Sequence, residues 1–338
     1  MKEVWKRVLA ACLVLITGLL AGCGGNSSNE KKVSVGILRL TSSAPLFIAL
    51  DKGFFKDEGL RVEPEWFDAA QPIAVATASN KVDVGATGIT AGLYNMAAQG
   101  QKLYIVADKG REEAGYPSTA VVVNKNAYEN GVRSIADLKG KKVGITQIGS
   151  TYHYMLGRML ELDGLRLIDT ELVPLGKVSA MMAALQAQQV DAVLLNEPNT
   201  TKAVREGYAV QIQAVGDKMP YQTSGIFYSP QFAKDTDAAV RFMKAYIRAC
   251  RYYSDAMLQK EPGANYDEVL SIIAKYTNMP KEDIKNGIPY IDANGELLAS
   301  DITTQLHWYA SHGFLEKQLD ADQVTDMSFW KQAMEKLQ

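Results

Sequence analysis

From Lys32 onward, short apolar runs alternate with segments whose apolar residues recur every three to four positions. Runs at 33–39, 60–66, 82–86, 103–107, 119–123, 142–146, 171–175, 191–195, 210–214 and 224–228 predict strands. Between them the spacing predicts helices over 45–52, 71–79, 90–99, 151–163, 177–189 and 199–206. Strands alternating with helices imply an α/β fold with largely parallel sheets. From about Asp235 the strand pattern stops. Ala238, Phe242, Met243, Tyr246, Ala249, Cys250, Tyr253 and Met257 then recur at helical spacing. Further helices are expected over 267–276, 281–286, 299–311 and 328–337, giving a helical C-terminal tail whose aromatic and methionine residues serve its core. Boundary chemistry agrees with this division. Thr41, Ser42 and Ser43 offer hydroxyl caps ahead of Pro45, Gly53 follows where a helix-ending glycine belongs, and Ser134 with Asp137 forms a capping-box pair.

The first residues follow a different pattern. Lys2, Lys6 and Arg7 precede an apolar run from Val8 to Leu20, and Leu20-Ala21-Gly22-Cys23 follows at once. A basic start, a short apolar core and small residues before a cut site make a secretory signal, too short for a comfortable membrane span. Cysteine directly after the small pair resembles a bacterial lipobox. That resemblance implies removal of residues 1–22 and a lipid on Cys23, with 23–32 as a flexible tether. The expected location is outside the cytoplasm, lipid-anchored to the cell membrane, in the periplasm or at the outer cell surface.

Composition narrows the function. The 338 residues carry 36 Lys and Arg against 38 Asp and Glu, a net charge of −2 that gives no electrostatic case for nucleic acid. Cys12 lies in the signal and Cys23 at the lipobox, so Cys250 alone remains, and neither an internal disulfide nor a cysteine zinc cluster is expected. The histidines are His153, His307 and His312, the last two spaced poorly for one helical metal face. No Walker-type loop, Gly-x-Ser-x-Gly elbow or His-Glu-x-x-His motif occurs. Neither an enzyme, a cofactor nor a metal is expected.

Several stretches resemble one family. Ala44-Pro-Leu-Phe-Ile-Ala-Leu-Asp-Lys-Gly-Phe-Phe-Lys-Asp-Glu-Gly-Leu60, Val82-Asp-Val-Gly-Ala86, Lys139-Gly-Lys-Lys-Val-Gly-Ile145 with Gly149-Ser150-Thr151, and Val190-Asp-Ala-Val-Leu-Leu-Asn-Glu-Pro198 occur in order, followed by a tail from Trp308 through Gly313 to Phe329. Together they resemble bacterial ABC-transporter periplasmic solute-binding proteins of the nitrate, sulfonate, taurine and thiamine-pyrimidine group. The resemblance implies a two-lobe periplasmic-binding-protein fold of type II, with two crossing hinge strands near Ser118–Asn124 and Ser224–Ser229. Lobe one would be 33–120 plus 226–338, and lobe two 124–223. It also implies a small-molecule ligand held between the lobes and delivered to an ABC permease with its own ATPase. The rival is an enzyme on the same fold, since the fungal pyrimidine synthase resembles this family, although its cysteine-rich iron-binding run is absent here.

Open α/β sheets bind ligands beyond the carboxyl ends of their strands. Five loops fit that place. Arg39, Thr41, Ser42 and Ser43 precede a helix, as caps or as ligand contacts. Phe67 and Asp68 follow Trp66, where the family often has a small glycine-rich turn, so a bulkier wall and a flat ligand are implied. Thr87 and Gly88 lead into the helix from Thr90. Ser150, Thr151 and Tyr152 open a helix in the second lobe, with His153 read as structural. Asn196 and Glu197 end a strand. Tyr116 and Tyr221 are expected at the cleft rim. Glu197 is expected either in a structural salt bridge or as a cleft carboxylate, and the latter favours an amino-bearing heterocycle such as a thiamine-pyrimidine-like compound, with sulfonate, taurine or nitrate as the alternative.

Overall fold

The computed structural model describes residues 30–338, and the segment expected to be a signal, with Cys23, lies outside them. All the expected strands form: β1 (Lys31–Ile37), β2 (Leu60–Trp66), β3 (Val84–Gly88), β4 (Tyr104–Glu112), β5 (Thr119–Asn124), β6 (Lys142–Ile145), β7 (Glu171–Pro174), β8 (Ala192–Asn196), β9 (Ala209–Ala214) and β10 (Tyr221–Tyr228). Lys31 and Lys32 pair with Leu60 and Arg61, so they belong to a sheet and not to a tether.

The strands make two sheets of matching order, β2-β1-β3-β10-β4 and β7-β6-β8-β5-β9. β1 runs parallel to β2 and β3, and β6 runs parallel to β7 and β8. β10 and β5 are antiparallel to both of their neighbours. The sheets are therefore mixed where largely parallel ones were expected. Each reversed strand is the first one after the chain changes sheets. It arrives from the far side and runs against its new neighbours.

The changes of sheet occur over 113–118 and 215–220, earlier than the expected 118–124 and 224–229. The cause is strand length. β4 runs on past residue 107 to Glu112, and β10 already begins at Tyr221.

Around the first sheet, the helix Thr236–Met257 packs on Ala44–Asp51 and Ser328–Glu335. Phe55 stacks on Phe242 and Phe47 on Tyr276, each with ring centroids 4.8 Å apart. Such pairs contribute about 0.5–1.5 kcal/mol beyond burial. Cys250 is free and fully buried there, and burial pushes its thiol up. The capping box at Ser134 and Asp137 forms. Thr41–Ser43 instead wind into a short 3₁₀ turn, and Ser43 Oγ donates to the Leu38 carbonyl at 2.9 Å without capping the next helix.

One element of the tail joins the lobes. Helix Ala299–Ser311 lies against helix Thr151–Leu162, which belongs to the second-sheet lobe. Trp308 meets Tyr154 edge-on at 5.0 Å, and Tyr154 stacks on Tyr221 at 4.7 Å. Trp308 Nε1 donates to Glu161 at 2.8 Å. Gly157 makes the approach possible, since a Cβ there would stand 2.4 Å from the indole.

Candidate ligand-binding cleft

Between the carboxyl ends of β1, β2 and β3 and those of β6 and β8 lies a cavity of about 320 Å³. Arg39, Ser42, Phe67, Asp68, Gly88, Ser150, Thr151, Tyr152 and Asn196 line it. Thr41, Ser43, Thr87, Tyr116, Glu197 and Tyr221 do not.

Each displaced residue has a visible reason. Thr41 is buried at the lobe contact, its Oγ1 donating to the Glu197 carbonyl at 3.3 Å. Ser43 is held by Leu38. Thr87 is buried in the first sheet, where its hydroxyl has no partner among the described residues. Tyr116 donates to the Leu258 carbonyl at 3.4 Å and sets its ring edge on Tyr290. Tyr221 belongs to the aromatic seam. Glu197 is 4 % exposed and its Oε2 accepts the Thr201 amide at 3.1 Å. Its side chain presses on Gly287 of the other lobe, where a Cβ would meet Cγ at 2.1 Å. Successive residues at a strand end face opposite ways, so Asn196 takes the cleft side and Glu197 the other.

The second-lobe wall is built on the start of helix Thr151–Leu162. Ser150 Oγ accepts the His153 amide at 3.2 Å, a proper N-cap. The Thr151 and Tyr152 amides have no partner among the described residues. Two free amides at the positive end of a helix favour an anion by about 0.3–1 kcal/mol when exposed and more when partly buried. Tyr152 hydrogen-bonds Asn196 Oδ1, and Asn196 Nδ2 donates to Thr119 at 2.8 Å, so both side chains are fixed. His153 is structural, as expected. Its Nδ1 accepts the Gly149 amide at 3.0 Å, and burial first, then His312, lowers it to about 4.

The first-lobe wall holds a residue that sequence reasoning missed. Lys109 is 1 % exposed, lines the cavity, and its Nζ donates to Ser42 Oγ at 3.1 Å. It makes no ion pair among the described residues. Burial lowers it to about 7, against the raising effect of Asp108. A bulge aims it. β10 sets Ser224 opposite Gly110 and Gly225 opposite Asp108, leaving Lys109 as the extra residue, and Gly110 takes a φ of 136° that favours glycine. A glycine in a polar run directly after an apolar strand was the available signal. Beneath the wall, Glu112 accepts the Thr119 amide at 3.2 Å and the Thr223 hydroxyl at 3.4 Å, and burial pushes it up to about 7. Arg39, the cation expected in the cleft, borders the cavity, but its guanidinium is engaged by other groups. It stacks 3.8 Å over Trp66 and donates to the Tyr276 carbonyl at 2.6 Å.

The cavity thus pairs a buried amine and hydroxyls of Ser42, Ser118, Thr223 and Ser224 with a helix N-terminus opposite, between apolar walls of Trp66, Phe67 and Met182. The sequence model of the NMT1-like family matches residues 26–273. The chain belongs to the NMT1-like family. Among relatives of this family member, a Brachyspira hyodysenteriae protein provisionally named an ABC transporter periplasmic binding protein is 25 % identical over 285 residues, covering 81 % of this chain and 79 % of its own. An Escherichia coli protein provisionally named an aliphatic sulfonates-binding protein is 27 % identical over 278 residues, covering 78 % and 80 %. In fold, the chain is similar to the alkanesulfonate-binding protein SsuA of Xanthomonas axonopodis pv. citri bound to MOPS, with a TM-score of 0.70, 18 % identity, and 87 % and 98 % of the two chains covered. The nitrate-binding protein NrtA of Synechocystis PCC 6803 gives a TM-score of 0.72 at 18 % identity, covering 91 % and 89 %. The desulfurization enzyme DszB shares the fold at a TM-score of 0.68 and 15 % identity, covering 91 % and 100 %. The expected two-lobe binding-protein fold is the one observed.

Proposed function

We infer that this NMT1-like protein is the solute receptor of an ABC importer, capturing a small organic oxyanion with a flat or apolar body and passing it to a permease with its own ATPase. The observation that carries this reading is the pairing of Lys109 with the Thr151 and Tyr152 amides on opposite walls of one cavity. The amino-heterocycle preference rested on Glu197 in the cleft, and that carboxylate lies elsewhere. Fold alone leaves catalysis open, as DszB illustrates. Support for a receptor comes from the relatives named as binding proteins. Calorimetry on the full chain in detergent tests the ligand class with benzenesulfonate, taurine, nitrate and an aminopyrimidine. Binding of benzenesulfonate or taurine is expected, and binding of the aminopyrimidine alone would overturn the oxyanion reading.

The anchor is part of the same proposal. A lipid on Cys23 would hold the receptor at the membrane surface beside the permease. Cells fed a labelled fatty acid should label the parent protein and leave Cys23→Ser unlabelled and released from the membrane fraction. Equal labelling of both would remove the anchor.

A further inference from the structure

Lys109 has two properties that rarely coincide: it is buried, and its amine opens on a cavity with one hydroxyl for company. Much of the surrounding structure is committed to holding it there. The bulge that aims it is clamped by Asp108, whose Oδ1 accepts the Gly110 amide at 2.7 Å and Gln222 Nε2 at 2.6 Å, while Oδ2 accepts the Asp292 amide at 2.8 Å. Tyr246 donates to the Asp108 carbonyl at 2.7 Å. Gln222 is itself fixed, its Oε1 accepting the Leu298 amide at 2.8 Å and its carbonyl accepting from Gln305 at 2.9 Å. Asp108 is therefore occupied by other donors and does not pair with its neighbour.

We propose that Lys109 is largely uncharged in the ligand-free protein at mildly alkaline pH and gains its proton as an anionic ligand arrives, so that capture and proton uptake are one coupled step there. This rests on the oxyanion reading above. An ammonium whose one hydrogen-bond partner among the described residues is the Ser42 hydroxyl, beside an Asp108 carboxylate engaged by other donors, is poorly compensated for lost hydration, whereas a bound oxyanion supplies the missing counter-charge. The lowering of Lys109 to about 7 by burial agrees with this geometry. The other charged groups around the site are Asp108 and Glu112 on β4, Arg39 and Asp68 from the loops after β1 and β2, and Lys202 from the helix Asn199–Arg205. Arg39 is tied to Trp66 and Tyr276, and Glu112 to Thr119 and Thr223.

The test uses the full chain in detergent and benzenesulfonate, a probe that does not titrate between pH 6 and 9. Calorimetry in buffers of differing ionisation enthalpy should give about one proton taken up per ligand at pH 8 and close to none at pH 6. Kd should weaken about tenfold per pH unit from pH 7 to 9, because the charged amine is the form that binds. Lys109→Arg, charged throughout, should bind with a flat pH profile, and Lys109→Met should lose both affinity and uptake. Binding with no uptake and no pH dependence overturns the proposal and leaves the oxyanion reading intact. Uptake that persists in Lys109→Met but disappears in Glu112→Gln assigns the proton to Glu112 and also overturns it. If benzenesulfonate and taurine both fail to bind the parent, the oxyanion reading falls and the proposal with it.

Discussion

Lys109 and Glu197 are both charged residues that burial brings to about 7, from opposite directions. Their surroundings differ. Lys109 leaves its amine on the cavity with one hydroxyl partner. Glu197 turns away from the cavity, takes an amide from Thr201, and lies against Gly287 across the lobe boundary. The difference shows that a shifted ionisation does not by itself locate a ligand. What the group faces decides whether its uncompensated charge serves recognition or closure.

Four measurements test this contrast. The largest effect belongs to Lys109→Met. Lys109 ionises lower in the folded chain, about 7, than in the unfolded chain at about 10.4. The folded state then binds fewer protons between those values, so the penalty is full below about pH 7 and fades as pH rises towards 10. Melting of Lys109→Met should exceed the parent by up to about 4 kcal/mol at pH 6 and converge with it by pH 10. An equal gain at both pH values would contradict the burial argument.

Glu197→Gln should show the opposite profile. Its carboxyl is raised from about 4.3 to about 7, mainly by burial, so the folded state holds its proton longer. Its penalty is absent below pH 4 and full above 7. Stabilisation of up to about 3 kcal/mol is expected at pH 8 and none at pH 4. Denaturant titrations at the two pH values check it.

Gly287→Ala puts a methyl where Glu197 Cγ already stands, and overpacking of this kind costs about 1–3 kcal/mol. That cost should fall on the arrangement in which the two lobes meet at these residues. Benzenesulfonate should bind about tenfold more weakly with its proton uptake unchanged, and a coupled loss of uptake would merge the two regions being contrasted. Arg205→Ala has the smallest effect. It strips a half-exposed partner, 3.0 Å away, from Asp283, which is 1 % exposed. About 1 kcal/mol of stability should go, read as a lower melting temperature at pH 7.

The ten strands and the tail were legible because short apolar runs and a 3.6-residue period can be read from a single chain. The sheet changes were not, because a strand that passes through a bulge loses its alternation, and β4 does so at Lys109. The cleft loops were legible as strand ends. Which of two neighbours faces inward was not, since that depends on register: Ser42 enters while Thr41 and Ser43 do not, and Asn196 enters while Glu197 does not. Lys109 escaped notice because its strand was expected to finish two residues before it.

Trp308, lodged in the notch left by Gly157, acts on this molecule as binding does on a book. Parting the lobes at that spine would wet Tyr154, Tyr221 and the indole together, whereas parting them at the fore-edge would break the Arg205–Asp283 ion pair and the Thr41–Glu197 hydrogen bond.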